Sequence, residues 1–141
     1  KCLEESYSVY FNTHKNIKFN FLMENNNIYF KFDKFQLSQC FNNLIKNAIE
    51  AVEKIPNPVI EVKIYNNENK ICIEIKDNGV GIDDKMISKI FEPYFTTKTK
   101  GTGLGLSIVK RIIEDHGGKI KIEKNKNMAG STSLIIFENN A

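Results

Sequence analysis

The alternation of apolar and polar residues along the chain predicts two kinds of element. In the segments that are expected to be strands, β-branched and aromatic residues alternate with polar residues or form short runs. Apolar residues at helical spacing mark three other segments. Predicted strands are 17–23, 28–32, 59–65, 70–77, 119–124 and 131–137, and predicted helices are 33–54, 83–91 and 104–116.

The predicted order of elements, β-β-α-β-β-α-α-β-β, indicates an α+β fold. Neighbouring strands in the sequence are joined by short polar turns and are therefore expected to pair as hairpins. Such strands are expected to form one mixed sheet, and the three amphipathic helices are expected to cover one face of it. Asp33 is the expected N-cap of the longest helix, Pro56 lies just past its end, and Gly117 follows the last helix.

Length, composition and charge limit the classes of protein to which the chain can belong. The 141 residues are enough for one domain, and a net charge of +3 with dispersed lysines does not indicate a nucleic-acid partner. No apolar run reaches the length of a membrane span, and three cysteines without a CxxC motif favour a reducing, intracellular compartment. Because the chain begins at Lys1, we expect a piece of a longer protein. Residues 1–16 are then a linker or the end of an upstream helical domain, and residues 17–141 are the folded domain.

A polar stripe interrupts the longest predicted helix. Asn43, Asn47 and Glu50 share one face, which is compatible with an ordinary solvated surface. Asparagine is, however, a poor residue for a helix interior, and its amide oxygen is a hard, neutral ligand suited to Mg²⁺. The stripe is therefore also a candidate metal site.

An acidic loop follows the strand 70–77. By the two-residue period of that strand, Asp77 points towards the interior, where a carboxylate needs a hydrogen-bond partner. Asp77 is either a turn former or a carboxylate that accepts a hydrogen bond from the exocyclic amine of adenine. Gly79 and Gly81 would let a flat base approach the backbone.

A basic loop precedes the helix 104–116. Gly101, Gly103 and Gly105 lie at the start of this helix, and Lys98 and Lys100 come just before them. Free N–H groups at a helix N-terminus bind anions, so phosphate is the expected ligand. The spacing of the glycines fits neither a P-loop nor a Rossmann fingerprint.

Four segments in this order resemble the motifs of one protein family. "NNLIKNAIEA" (42–51), "DNGVGI" (77–82), "FEPYFTTK" (91–98) and "GTGLGLS" (101–107) are similar to the N, G1, F and G2 boxes of the ATP-binding catalytic domains of sensor histidine kinases. These domains belong to a superfamily with gyrase, heat-shock chaperones and mismatch-repair ATPases. The resemblance covers residues 17–137 and implies a two-layer α/β sandwich of the Bergerat type with a mobile ATP lid.

The resemblance implies a role for individual residues. Asn47 matches the Mg²⁺ ligand, Asn43 lines the same site, and Asp77 matches the carboxylate that reads adenine. Phe91 and Phe95 bracket the start of the lid, from which Lys98 reaches towards the γ-phosphate. The other expected nucleotide-binding residues are Gly79, Gly81, Ile82, Thr97, Gly101, Thr102, Gly103, Leu104, Gly105 and Leu106.

The resemblance also implies the reaction, which is phosphoryl transfer from Mg-ATP to a histidine. Gyrase-like ATPases carry a glutamate at the place of Asn43, and asparagine cannot act as the general base for hydrolysis. A gyrase-like hydrolase is therefore disfavoured, and an ATP-sensing module without kinase activity is the other alternative. Glu50, one turn beyond Asn47, is an acid that could orient a metal-bound water or the incoming histidine.

Neither histidine of the chain fits the role of phosphate acceptor. His14 lies in the linker-like segment, and His116 ends a helix in the manner of a capping residue. The acceptor is expected on an absent dimerisation domain of the same parent protein, so the isolated chain is not expected to phosphorylate itself. A response regulator is the expected downstream partner. The domain is expected in the cytoplasm without direct membrane contact, although its parent could be tethered to a membrane.

Overall fold

Five strands and three helices make up the part of the chain that the structure describes. In this computed structural model the described residues are 16–24, 32–92, 105–126 and 128–138. The strands are β1 (Lys18–Met23), β2 (Val59–Asn67), β3 (Lys70–Asp77), β4 (Lys119–Lys124) and β5 (Ser131–Glu138). The helices are α1 (Lys34–Ala51), α2 (Asp84–Ile87) and α3 (Gly105–Asp115).

The strands form one mixed sheet with the order β1-β2-β3-β5-β4. β1 runs parallel to β2, whereas the pairs β2–β3, β3–β5 and β4–β5 are antiparallel. The α+β class and the mixed sheet are thus confirmed, as are the hairpins of β2 with β3 and of β4 with β5. Most of the predicted strand 28–32 lies outside the described residues, so its hairpin with β1 stays a prediction.

The core lies between one face of the sheet and the helices α1 and α3. Alternate residues of β2 and β3, such as Ile60, Val62, Ile73 and Ile75, are at most 2% exposed. Because side chains alternate across a strand, these isoleucines and valines all point to the helical face. The helices meet them with the buried residues Leu37, Cys40, Phe41, Leu44, Ile45, Ala48, Val109, Ile112 and Ile113.

The helix boundaries follow capping and burial. Asp33 is the N-cap of α1, as predicted, and its side chain accepts a hydrogen bond of 3.0 Å from the backbone N–H of Gln36. The predicted helix 83–91 is wrong in length, because only Asp84–Ile87 is helical. None of these four residues is buried, and a short helix without packing is not stable enough to extend.

His116 joins the two long helices. Its Nδ1 lies 2.8 Å from the carbonyl oxygen of Ile112, and its Nε2 accepts a hydrogen bond of 3.3 Å from the backbone N–H of Asp33. The ring also stacks on Phe32 with a centroid distance of 3.7 Å. The capping role expected for His116 is confirmed, and the same side chain ties the end of α3 to the start of α1.

The cysteines of the described residues are unpaired. Cys40 and Cys72 are both free and buried, and burial raises the pKa of the Cys40 thiol to about 11. Such a thiol stays protonated and behaves as an apolar core residue. Among the described residues, no helix has the length and hydropathy needed to cross a bilayer.

Candidate nucleotide-binding site

One face of α1 carries the polar stripe seen in the sequence. Asn43, Asn47 and Ala51 follow one another at intervals of four residues, so they lie on one side of the helix. The rise of 1.5 Å per residue separates Asn43 from Ala51 by about 12 Å. Both asparagines are half-buried, whereas Glu50 is exposed at the rim. Both asparagines are therefore partly covered by neighbouring parts of the fold and are not on a fully solvated face.

The acidic loop after β3 packs on Ala51, at the C-terminal end of the helix face that carries the stripe. The backbone N–H of Val80 donates a hydrogen bond of 3.2 Å to the carbonyl oxygen of Ala51. At Gly79 an added Cβ would overlap the backbone carbonyl of Ala51 and lie 2.8 Å from its Cβ. Only glycine allows the loop to approach α1 this closely.

The N-terminus of α3 packs on the other end of the stripe. A Cβ built on Gly105, the first residue of α3, would lie 3.6 Å from Oδ1 of Asn43. The free N–H groups of the first turn of α3 are therefore close to the amide of Asn43. The structure thus brings described parts of the segments 42–51, 77–82 and 101–107 together along a single helix face.

Asp77 ends β3 with its side chain buried, as the period of the strand predicts, and is 5% exposed. Its Oδ1 accepts hydrogen bonds from the backbone N–H of Gly79 at 2.9 Å and of Ser131 at 3.4 Å. Its Oδ2 accepts one from the hydroxyl of Ser131 at 3.3 Å. Burial raises the pKa of Asp77 above its ordinary value of 3.8, although these hydrogen bonds oppose the shift.

Ser131 is a contact of Asp77 that sequence reasoning missed. It lies 54 residues away in the chain and reaches Asp77 because β5 pairs with β3. Gly130 precedes it with φ of +102°, and an added Cβ there would overlap the backbone carbonyl of Asp77. In the sequence, Ser131 is visible only as part of a "GS" pair at the end of the polar turn. Its contact with Asp77 follows from the pairing of β5 with β3 and could not be predicted from that pair alone.

The structure also describes four other predicted residues, Gly81, Ile82, Phe91 and Leu106. Gly81, with φ of +79°, and Ile82 line a cleft of about 360 Å³ together with residues of the turn between β4 and β5. Phe91 is half-buried and lies under Lys110 of α3, with the Nζ atom 5.6 Å from the ring centroid. Leu106 packs against the hydrophobic core.

Seven predicted residues of the lid and the glycine loop lie outside the described residues. The predictions for them rest on the sequence alone. They are Phe95, Thr97, Lys98, Gly101, Thr102, Gly103 and Leu104.

The donor set of the stripe fits Mg²⁺ better than a transition metal. Within the described residues, no group of three or more His, Cys, Asp and Glu side chains is arranged to hold a metal ion. Mg²⁺ keeps several waters and is typically bound through few protein oxygens plus the phosphates of a substrate. The amide oxygens of Asn43 and Asn47 match that pattern.

Comparisons with known proteins agree with this geometry. A family model described as "Histidine kinase-, DNA gyrase B-, and HSP90-like ATPase" matches residues 32–139. Sporulation kinase A of Bacillus subtilis (strain 168) is 41% identical over 102 residues, which are 72% of this chain and 16% of that protein. This chain thus spans about a sixth of the length of that curated relative.

Solved structures give the same result over nearly the whole chain. The nucleotide-free catalytic domain of the histidine kinase ThkA is 35% identical with a TM-score of 0.86, and the match covers 98% of this chain and 90% of that domain. ThkA in complex with the response regulator protein TrrA is 31% identical with a TM-score of 0.82, covering 99% of this chain and 40% of the kinase. The chain therefore belongs to the family of histidine kinase-, DNA gyrase B- and HSP90-like ATPases, and within it to the catalytic domains of sensor histidine kinases.

Proposed function

We propose that this domain binds Mg-ATP along the stripe of α1 and transfers the γ-phosphoryl group to a histidine outside the chain. The observation that carries the proposal is the meeting of three motifs on one helix face. Gly79 packs on Ala51 at one end, and Gly105 lies against Asn43 at the other. The separation of about 12 Å between these ends is suited to a nucleotide whose base and phosphates are bound at opposite ends.

The base end recognises adenine through Asp77. The carboxylate is held by Gly79 and Ser131, and it retains acceptor capacity because two oxygens offer about four lone-pair sites. An exocyclic amine of adenine is a donor and can use that capacity. The carbonyl that guanine has at the equivalent position would face a carboxylate and be repelled. Gly81 and Ile82 flank the base in this arrangement.

The phosphate end combines the first turn of α3 with the asparagines of α1. Backbone N–H groups at the start of α3 donate to phosphate oxygens, with Gly105 allowing close approach. Asn47 holds the magnesium ion through its amide oxygen, with Asn43 lining the same space. Bound there, the ion supplies charge neutralisation for the triphosphate. Lys98, Thr97 and the glycines 101 and 103 are proposed to cover the phosphates from the lid.

The chemical step requires positioning but no general base for water. A nitrogen of the acceptor imidazole attacks the γ-phosphorus, the bond from that phosphorus to the bridging oxygen breaks, and ADP leaves. The imidazole releases its proton to solvent. Asn43 stands where a hydrolase would need an acid, and an amide cannot activate water, so ATP hydrolysis is expected to be slow. Glu50, which is exposed at the rim, is proposed to orient a metal-bound water or the incoming histidine.

The acceptor is proposed to lie on a separate dimerisation domain of the parent protein. His116 is a poor candidate, because both of its ring nitrogens are already hydrogen-bonded inside the fold. Since the ThkA relative forms a complex with the response regulator TrrA, we further propose that the parent passes its phosphoryl group to a response regulator.

Nucleotide binding to the 141-residue chain tests this function. Calorimetry with ADP and with inosine diphosphate (IDP) compares two ligands that differ on one edge of the base, where hypoxanthine has a carbonyl and an N1–H group in place of the amine and the N1 acceptor of adenine. We expect ADP to bind about 5- to 150-fold more tightly, the equivalent of the roughly 1–3 kcal/mol for a charge-assisted or unsatisfied buried hydrogen bond. Asp77→Asn, which turns an N–H group towards the amine, should remove most of the preference. Equal affinities in the unmodified chain would contradict the base-reading role of Asp77.

A further inference from the structure

The side chain of Asn125 links the turn between β4 and β5 to the backbone of Asp77. Its Nδ2 donates one hydrogen bond of 2.8 Å to the carbonyl oxygen of Asp77 and another of 3.0 Å to that of Ala129. Its Oδ1 accepts a hydrogen bond of 2.6 Å from the hydroxyl of Thr132. Only an amide satisfies this arrangement, because two carbonyl oxygens require two N–H donors while a hydroxyl fills the acceptor.

The turn closed by Asn125 leads directly into Ser131, the first residue of β5, which holds the carboxylate of Asp77 together with Gly79. The backbone N–H of Asn125 donates to the carbonyl oxygen of Gly130 at 3.0 Å, and Gly130 lies against the peptide of Asp77. The next residue, Ser131, binds both carboxylate oxygens. Asn125 therefore fixes Asp77 twice, at its backbone oxygen and through the segment that holds its side chain.

From these contacts we infer that Asn125 is a positioning residue for the discrimination of adenine. The inference rests on the proposed function, in which the carboxylate of Asp77 reads the exocyclic amine. In this role Asn125 acts through Asp77 and Ser131 and not through a contact of its own with the base. It holds the peptide of Asp77 and the Ser131 donors in one geometry, so that the one lone-pair site left on Oδ2 of the carboxylate points at a fixed place.

A change at Asn125 should therefore alter base preference more than general nucleotide binding. In Asn125→Ala the carbonyl oxygens of Asp77 and Ala129 lose a donor, so the turn that leads to Ser131 loses one of its links to the end of β3. Calorimetry with ADP and IDP should show ADP affinity reduced about tenfold and IDP affinity changed by less than about twofold, since IDP lacks the amine. Thr132→Val, which removes only the donor to Oδ1, should reduce the ratio by a smaller factor.

Two controls separate positioning from loss of stability. Lys126→Ala changes an exposed residue of the same turn and should leave the ADP-to-IDP ratio unchanged. Ile122→Val removes one methyl group from a buried position of β4, so it lowers stability without touching the hydrogen bonds of Asn125. It should also keep the ratio of the unmodified chain.

The outcomes distinguish this inference from the proposed function. If the unmodified chain prefers ADP and Asn125→Ala keeps the full preference, or loses affinity for both nucleotides alike, the inference is wrong while the proposed function stands. If the unmodified chain binds both nucleotides equally, base reading by Asp77 is wrong and the inference fails with it. A selective loss of ADP affinity in Asn125→Ala supports both.

Discussion

Asp77 and Ser131 are the only buried polar or charged residues in the described part of the chain. A buried carboxylate is costly unless it is hydrogen-bonded, and here a glycine N–H and both donors of Ser131 offset part of that cost. The pKa of Asp77 is nevertheless raised, because desolvation is the largest effect. A donor from a ligand would relieve the remaining cost, which makes the affinity of that ligand dependent on pH.

Adenosine affinity should fall as the pH is lowered through the raised pKa of Asp77. The exocyclic amine donates to the ionised carboxylate, so binding favours the ionised form, and protonation of Asp77 removes the acceptor. The loss approaches about tenfold per pH unit below the pKa of the free protein. Equilibrium dialysis with adenosine measures it without interference from phosphate titration. The profile of Asp77→Asn should be flat over the same range, and identical profiles for the two proteins would contradict the role of Asp77.

The contribution of Asn47 to ATP binding should depend on the magnesium ion. In Asn47→Ala the increase in ATP affinity on adding Mg²⁺ should shrink about tenfold, because the amide oxygen is lost as a ligand. Metal-free ADP should bind within about twofold of the unmodified chain. Asn42→Ala is the matched control, because it removes the same type of side chain from another face of α1, about 140° around the helix from Asn47. A proportionate loss of both affinities in Asn47→Ala would make Asn47 a structural residue.

At the scale of elements, α1 is the common support of the site. Its sequence pattern predicted the helix and its N-cap, because the apolar period and Asp33 are local signals. The contacts at its two ends were not predictable from the sequence, since they join Gly79 and Gly105 to residues 28 and 62 positions away in the chain. Likewise, β1 pairs in parallel with β2. The turn residues that follow β1 gave no indication of this pairing.

Gly79→Ala should disturb the joint between β3 and α1. The new methyl group would overlap the carbonyl of Ala51, so either the loop or the last turn of α1 must move. We expect the free energy of unfolding to fall by about 1–3 kcal/mol, the usual cost of overpacking. Gly105→Ala is the control, because its methyl group would make only ordinary contacts at the start of a helix. Urea unfolding that shows equal effects for the two substitutions would contradict the close packing at Gly79.

At the scale of the whole molecule, sheet topology completes the site. β5 lies between β3 and β4, so the turn before β5 meets the end of β3 and brings Ser131 and Asn125 to Asp77. The alternating pattern predicted that Asp77 points inward, but it carried no information on which distant residue would meet it. The class of fold follows from patterns within each element, whereas the partners of the site residues follow from the order of the strands.

Phosphorylation of the full-length parent protein is the most direct test of the central claim, that this domain transfers phosphate from Mg-ATP to a histidine outside itself. After incubation with ATP labelled at the γ-phosphate, the parent should carry label that is lost in acid and retained in alkali, as expected for phosphohistidine. The 141-residue chain alone should carry none. Acid-stable label on the parent, or label at His14 or His116 of the isolated chain, would contradict the account.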